Sequence, residues 1–212
     1  MAIGLNLLFH HVGRSRGAAV AGAPGRDLVG LNDVNQMSRE QFVETFGGLF
    51  QGPRWVVERA YDERPFADTR DLRRAFADAL LVASSDEQRE LFAAYPELGS
   101  DVVASGEAGQ GSFGDQSALG LTRLDDEAHG ELAALAQEYR DRFGFPLIVS
   151  VRDRASFDQI LAHGRHRLDN SPTQEHAQAL IEIANIAGHR FDDLVADANP
   201  IYSARTRGLA DA

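Results

Sequence analysis

The chain has 212 residues, 43% hydrophobic and 25% charged, with a formal net charge of -11. That length supports one domain with a proper core, and the acidic balance disfavours nucleic acid, which needs a basic surface. Cys and Lys are both absent, which removes disulfides, thiolate nucleophiles and iron–sulfur ligation, and with them Schiff-base and pyridoxal phosphate chemistry. Chemistry is left to carboxylates, seven His, Tyr, Ser/Thr and Arg.

Residues 1–30 are rich in Gly, Ala and Arg, as in Gly13-Arg14-Ser15-Arg16-Gly17, and are expected to form a mobile extension. Met1–His11 has one short apolar stretch without a basic leader or a clear cleavage site. No apolar run reaches the ~20 residues of a bilayer span. The expectation is a cytoplasmic protein with no membrane contact.

A helical domain is predicted over 31–195, followed by a tail over 196–212. Ser38-Arg39-Glu40-Gln41 has capping-box spacing, with Met37 and Phe42 placed as a hydrophobic staple. Gly47-Gly48 interrupts. Asp71–Ala83 carries Leu72, Phe76, Ala79, Leu80 and Ala83 at helical spacing. Ser85-Asp86-Glu87-Gln88 opens a short helix that ends before Pro96. Asp126–Phe143 places Leu132, Leu135, Tyr139 and Phe143 on one face, and Ser156 starts a helix expected to stop at Gly164. Ser171, Pro172 and Gln174 begin the last long helix, whose predicted apolar stripe is Ala177, Leu180, Ile181, Ala184, Ala187, Phe191 and Leu194. Phe145–Val151 reads locally as a strand. No other β-like run stands out to pair with it, so a buried extended segment is expected.

Several motifs have a plain and a chemical reading. Gly109-Gln110-Gly111-Ser112-Phe113-Gly114 matches G-x-G-x-x-G, but a dinucleotide site needs a preceding strand, and helical surroundings make it a loop. His163-Gly164-Arg165-His166 lacks further metal ligands at suitable spacing and sits at a predicted helix end. His10-His11 lies in the extension and is assigned nothing. Ser112-x-x-Asp115 either caps a helix or, after a Gly-rich loop, helps offer donors to an anionic ligand. Arg190 is a dipole partner, an ion pair with Asp192 or Asp193, or a fork for a carboxylate. Tyr95 is a core aromatic or a hydroxyl donor.

Ala94-Tyr95-Pro96-Glu97-Leu98, Ser112-Phe113-Gly114-Asp115-Gln116 and Arg190, with Phe46-Gly47-Gly48-Leu49-Phe50, Arg64-Pro65-Phe66 and Tyr139-Arg140-Asp141-Arg142-Phe143-Gly144-Phe145-Pro146, resemble the 2-oxo-4-hydroxy-4-carboxy-5-ureidoimidazoline (OHCU) decarboxylase family over about residues 31–195. The resemblance implies an all-α, single multi-helix domain, a cofactor-free homodimer and a small-molecule substrate. It implies loss of carbon dioxide from a ring carbon, then protonation of the delocalised anion to (S)-allantoin. It places catalytic roles on Tyr95, Asp115 and Arg190. Substrate contacts fall to Pro96, Ser112, Phe113, Gly114, Gln116 and the segment Leu147, Ile148, Val149, Ser150, Val151.

Three positions depart from the family: Tyr95 stands for its His, Asp115 for its Glu, and Gln51 for a Glu that many relatives carry. His titrates near ~6.5 and Tyr near ~10, so Tyr95 is a donor of a hydrogen bond or proton and a poor base. The expectation is a carbon–carbon lyase diverged from urate catabolism, acting on a small polar nitrogen heterocycle or related carboxylate. Authentic OHCU decarboxylation and a non-catalytic binding protein are the alternatives.

Overall fold

Polar caps decide where most of the helices begin. Ser38, Ser84 and Ser171 each accept a hydrogen bond from the backbone three residues on, and Gln41, Glu87 and Gln174 return one to the cap, so two orphan donors are satisfied at each start. Asp68, Asp125 and Ser156 cap three more with one bond each. The computed structural model describes residues 28–107 and 109–198.

Among these are ten α-helices: α1 (Leu31–Gln36), α2 (Arg39–Phe46), α3 (Trp55–Asp62), α4 (Thr69–Leu81), α5 (Ser85–Ala93), α6 (Asp101–Ala104), α7 (Gln110–Ala118), α8 (Asp126–Phe143), α9 (Phe157–Arg167) and α10 (Pro172–Asp192). Three 3-10 turns (Gly47–Leu49, Leu121–Arg123 and Val151–Asp153) complete the set. No strand occurs among the described residues, so the all-α expectation holds; the one β-bridge is parallel, Val29 to Val195. The expected extension lies outside the described residues except for 28–30, and Val29 is tied to the body through Leu194 O and Ala196 N. His10-His11 and the tail beyond residue 198 also lie outside them. No described helix is long and apolar enough to cross a membrane.

The larger core cluster joins α1–α5 to α10 through Phe42, Phe46, Phe76, Phe92, Ile183 and Phe191. A second cluster joins α8 and α9 through Leu132, Leu135, Tyr139 and Leu161. The segment 146–150 runs buried between them. Its alternation has a clear cause: Ile148 faces the first cluster, while Leu147 and Val149 face the second. A strand-like pattern thus arises from two helical layers rather than from a sheet. Buried side chains serve the segment's backbone in place of neighbouring strands: Arg167 donates to Ile148 O, and Glu182 accepts from Ser150 N–H at 2.7 Å.

Helix α5 opens at Ser85 as expected, with Ser84 as its cap. Three local expectations are corrected. Helix α9 continues through Gly164 to Arg167. Gly164 is packing, not punctuation: a Cβ there would lie 2.8 Å from both Leu135 and Leu147. Gly109–Gly114 is not a loop. Gly109, at φ +89°, precedes α7, so Ser112 and Asp115 lie inside the helix and Asp115 is not its cap. Finally, α10 buries only part of the predicted stripe. Leu180, Ala187 and Phe191 are inward as expected, but Ile181 is 52% exposed, with Ala177 and Ala184 also outward. The rest of the buried face is Glu175, Ala179, Glu182, Ile183 and Arg190. Three charged side chains occupy it, and each is committed to a buried partner.

Candidate active site

The site is built where α10, α7, the end of α5 and the extended segment converge. Arg190 Nε and Nη2 donate to Asp115 Oδ2 at 3.1 and 3.0 Å. Nη1 reaches the carbonyls of Gly48 and Leu49 at 3.2 and 3.3 Å, so the Gly-Gly turn presents its carbonyls to a guanidinium. Gly111 permits the approach: a Cβ there would lie 3.0 Å from Arg190 Cζ. The paired glycines of the apparent nucleotide motif therefore make room for an arginine and start a helix.

Asp115 is also held from its other oxygen. Arg152, in the turn that follows the extended segment, donates from Nε to Oδ1 at 2.7 Å and from Nη1 to Asp193 at 2.6 Å. Asp115 and Arg190 are 8% and 9% exposed. Two guanidinium groups thus bracket one buried carboxylate, and such charge-assisted bonds are short and strong. The expected pairing of Arg190 with Asp192 or Asp193 is replaced: Asp192 pairs with Arg73 and Asp193 with Arg152.

Tyr95 follows α5 and is 6% exposed, yet its hydroxyl has no hydrogen-bond partner. An orphaned buried hydroxyl costs roughly 1–3 kcal/mol. Burial pushes its pKa up to about 12; the Arg190 charge and the nearby Gln51 backbone oppose that rise, and Asp115 adds to it. The phenol is therefore a protonated donor at neutral pH. Ser112 accepts from Gln51 Nε2 at 2.6 Å and stands 3.5 Å from Arg190 Nη2. Gln116 Oε1 accepts from Gly99 N–H at 2.8 Å, which ties α7 to the loop after Pro96.

These groups surround a small cleft, with about 450 Å³ of space between them when its open mouth is counted. Of the residues singled out from sequence, Tyr95, Pro96, Ser112, Asp115, Gln116, Arg190 and all of Leu147–Val151 line it. Phe113 and Gly114 do not: Phe113 is 38% exposed, one helical step away from the inward side of α7. Leu98, Arg152, Ile186 and His189 line the cleft and were not singled out. A signal existed for two of them. Arg152 directly follows the wall segment, and His189 neighbours Arg190 and stands three residues after Ile186. No group of three or more His, Asp or Glu among the described residues is arranged to hold a metal.

The described residues thus form an all-α domain in which a buried arginine–carboxylate pair and an unpartnered phenol surround a small cleft. Comparison then gives the family. The OHCU decarboxylase family model matches residues 35–192. The 2-oxo-4-hydroxy-4-carboxy-5-ureidoimidazoline decarboxylase of Halalkalicoccus jeotgali is 34% identical over 164 residues, covering 77% of this chain and 90% of that protein. The uric acid degradation bifunctional protein PucL of Bacillus subtilis is 32% identical over 179 residues, 83% of this chain and 35% of that longer protein. The crystal structure of (S)-allantoin synthase superposes with a TM-score of 0.63 at 23% identity, over 79% of this chain and 54% of that one, and shares the fold. The chain belongs to the OHCU decarboxylase family, whose members are lyases.

Proposed function

We propose that this protein is a cofactor-independent carbon–carbon lyase that removes carbon dioxide from a small, anionic, nitrogen-rich heterocycle, in a role diverged from urate breakdown. One observation carries the reading: a protonated phenol with no protein partner faces the same cleft as the Arg190–Asp115–Arg152 cluster. Asp115 and Asp193 hold Arg190 and Arg152 in place beside the cleft, and a guanidinium fork suits a carboxylate or carbonyl guest. In this role Arg190 anchors a carboxylate or carbonyl oxygen, Asp115 accepts from ring or ureide N–H groups, and Ser112 and Gln116 line the ureide. When the carbon–carbon bond breaks, its electron pair enters the adjacent C=N system. Tyr95 then donates a hydrogen bond to the atom that gains charge. Hydrogen bonds strengthened by developing charge are the main lever such a dry site has.

The test uses ureidoimidazoline generated in situ from urate, with allantoin followed by circular dichroism. The expected wild-type rate is low, and Tyr95→His combined with Asp115→Glu raises it by about 10²-fold or more, the scale of a well-matched acid–base group. Rapid wild-type formation of one allantoin enantiomer, not improved by the double variant, replaces this reading with authentic OHCU decarboxylation. That second reading is favoured by the names of relatives at 34% identity. Thermal stabilisation by ureides, with no turnover in either protein, identifies a binding protein. The reading also carries assembly as a homodimer and a cytoplasmic setting; light scattering checks the first and fractionation of the cells that make it checks the second.

A further inference from the structure

The cleft holds one group whose chemistry the account above leaves unused. His189 lines it on α10, on the same stripe as Ile186 and Arg190, at i, i+3 and i+4. Its Nε2 stands 2.6 Å from Asp153 Oδ1. Asp153 closes the short turn Val151–Asp153, the turn that also sends Arg152 to Asp115. Both partners of the His189–Asp153 pair keep about a third of their side-chain surface, so the imidazole touches the cleft and solvent together. Among the described residues its second ring nitrogen makes no hydrogen bond, and no other His lines this cleft.

We propose that His189, oriented by Asp153, is the proton donor of this enzyme, while Tyr95 supplies only a hydrogen bond. This rests on the lyase reading above and completes it. Replacing a carboxylate by hydrogen needs one proton from outside: the carbon–carbon bond breaks, carbon dioxide leaves, and the electron pair remains in the ring system. The imidazolium gives its Nδ1 proton to the reacting carbon, which forms the carbon–hydrogen bond and leaves neutral His189. Water at the mouth then reprotonates the ring. Asp153 stays ionised throughout. Burial alone would lift its carboxyl, but contacts from Ser150, His189 and Arg154 hold it below the usual carboxylate range. A carboxylate on one ring nitrogen fixes the ring's orientation and leaves the other nitrogen for the substrate. Tyr95 cannot recycle a proton as easily, because burial holds its pKa up to about 12.

The charged and titratable groups around His189 are few. Asp153 and Arg152 come from the short turn, Asp115 from α7, Tyr95 from the end of α5 and Arg190 from α10. Arg152 and Arg190 are both matched by Asp115, and Arg152 also by Asp193, while Asp192 on α10 is paired with Arg73. The ring therefore has one direct carboxylate partner, and that partner sets its behaviour.

Decarboxylation of the in-situ ureidoimidazoline, read as kcat and KM across pH, is the test. In wild type kcat falls as the imidazolium deprotonates with rising pH. His189→Asn is expected to lower kcat by about 10²-fold or more, leave KM within a few-fold, and abolish that limb. Tyr95→Phe keeps the limb while lowering the rate. Asp153→Asn, a positioning change, lowers kcat while leaving KM within a few-fold, because the ring loses the partner that orients it. Retention of kcat within about threefold in His189→Asn, or a limb that persists there, overturns the proposal. Where wild type shows no turnover of this substrate, the substrate reading fails separately, and nuclear magnetic resonance decides about His189. Movement of its ring resonance on adding allantoin, at concentrations that raise thermal stability, supports a cleft-facing donor. A resonance that stays in place under those conditions overturns it.

Discussion

Helix α10 carries two buried arginine–carboxylate clusters that use the same chemistry for different ends. In the first, Glu175 is fully buried and accepts from Arg167, Tyr139 and Asn170, the last at 2.7 Å. Arg167 spends its remaining reach on Ile148 O. In the second, Arg190 and Asp115 are nearly as buried and as well connected, but a cleft opens beside them and Tyr95 waits there without a partner. Burial and pairing therefore do not mark a functional site by themselves. What distinguishes the second cluster is the adjoining space and an unsatisfied polar atom on a residue that lines it.

Mutations can break this contrast. The largest stability effect is expected from Glu175→Ala, which leaves Arg167 charged and unpaired in the core and costs about 3–5 kcal/mol, read by chemical denaturation. Tyr95→Phe should do the reverse, lowering kcat by about 10²–10³-fold, the scale of one lost donor to developing charge, while stability stays level or rises by about 1 kcal/mol, because an orphaned hydroxyl is removed. If it destabilises the protein and leaves the rate untouched, the two clusters are alike after all.

Glu182 sharpens the comparison through pH. Burial alone would raise its pKa, but His163, the Ser150 N–H and Arg167 outweigh that and lower it. A depressed carboxylate contributes stability above its unfolded pKa, near ~4.3, that is lost as pH falls through the folded value. The stability gap between wild type and Glu182→Gln should therefore be full at neutral pH and close in acid below that range. Smallest of all, Phe113→Ala lies away from the cleft and should alter kcat by less than about twofold, and stability by no more than about 0.5–1 kcal/mol.

Sequence exposed the local rules well. Ser38, Ser156 and Ser171 act as the caps their spacing suggests, Asp126–Phe143 forms one helix, and the strand-like run is extended and unpaired with any strand. The misses share a cause. The apolar stripe of α10 finds Leu180, Ala187 and Phe191 but points to Ala177, Ile181 and Ala184 where the inward positions are Glu175, Glu182 and Arg190. Hydropathy cannot anticipate a charge whose counter-charge arrives from another part of the chain. Ser112-x-x-Asp115 mimicked a cap because a capping box and two inward positions on one helix have the same spacing. Only the packing of the short turn against α10 brings Arg152 and His189 to the cleft and Asp153 to His189, and no local pattern in the sequence displays it.

The alternating wall from Leu147 to Val149 has an evolutionary consequence. Each residue is keyed to one of two opposed aliphatic layers, so exchange among Leu, Ile and Val is tolerable there, but deleting a single residue would turn the segment inside out. It would carry Arg152 and Asp153 away from their partners at the same stroke. Descendants of this chain are thus free to vary the composition of that wall, and bound to keep its length.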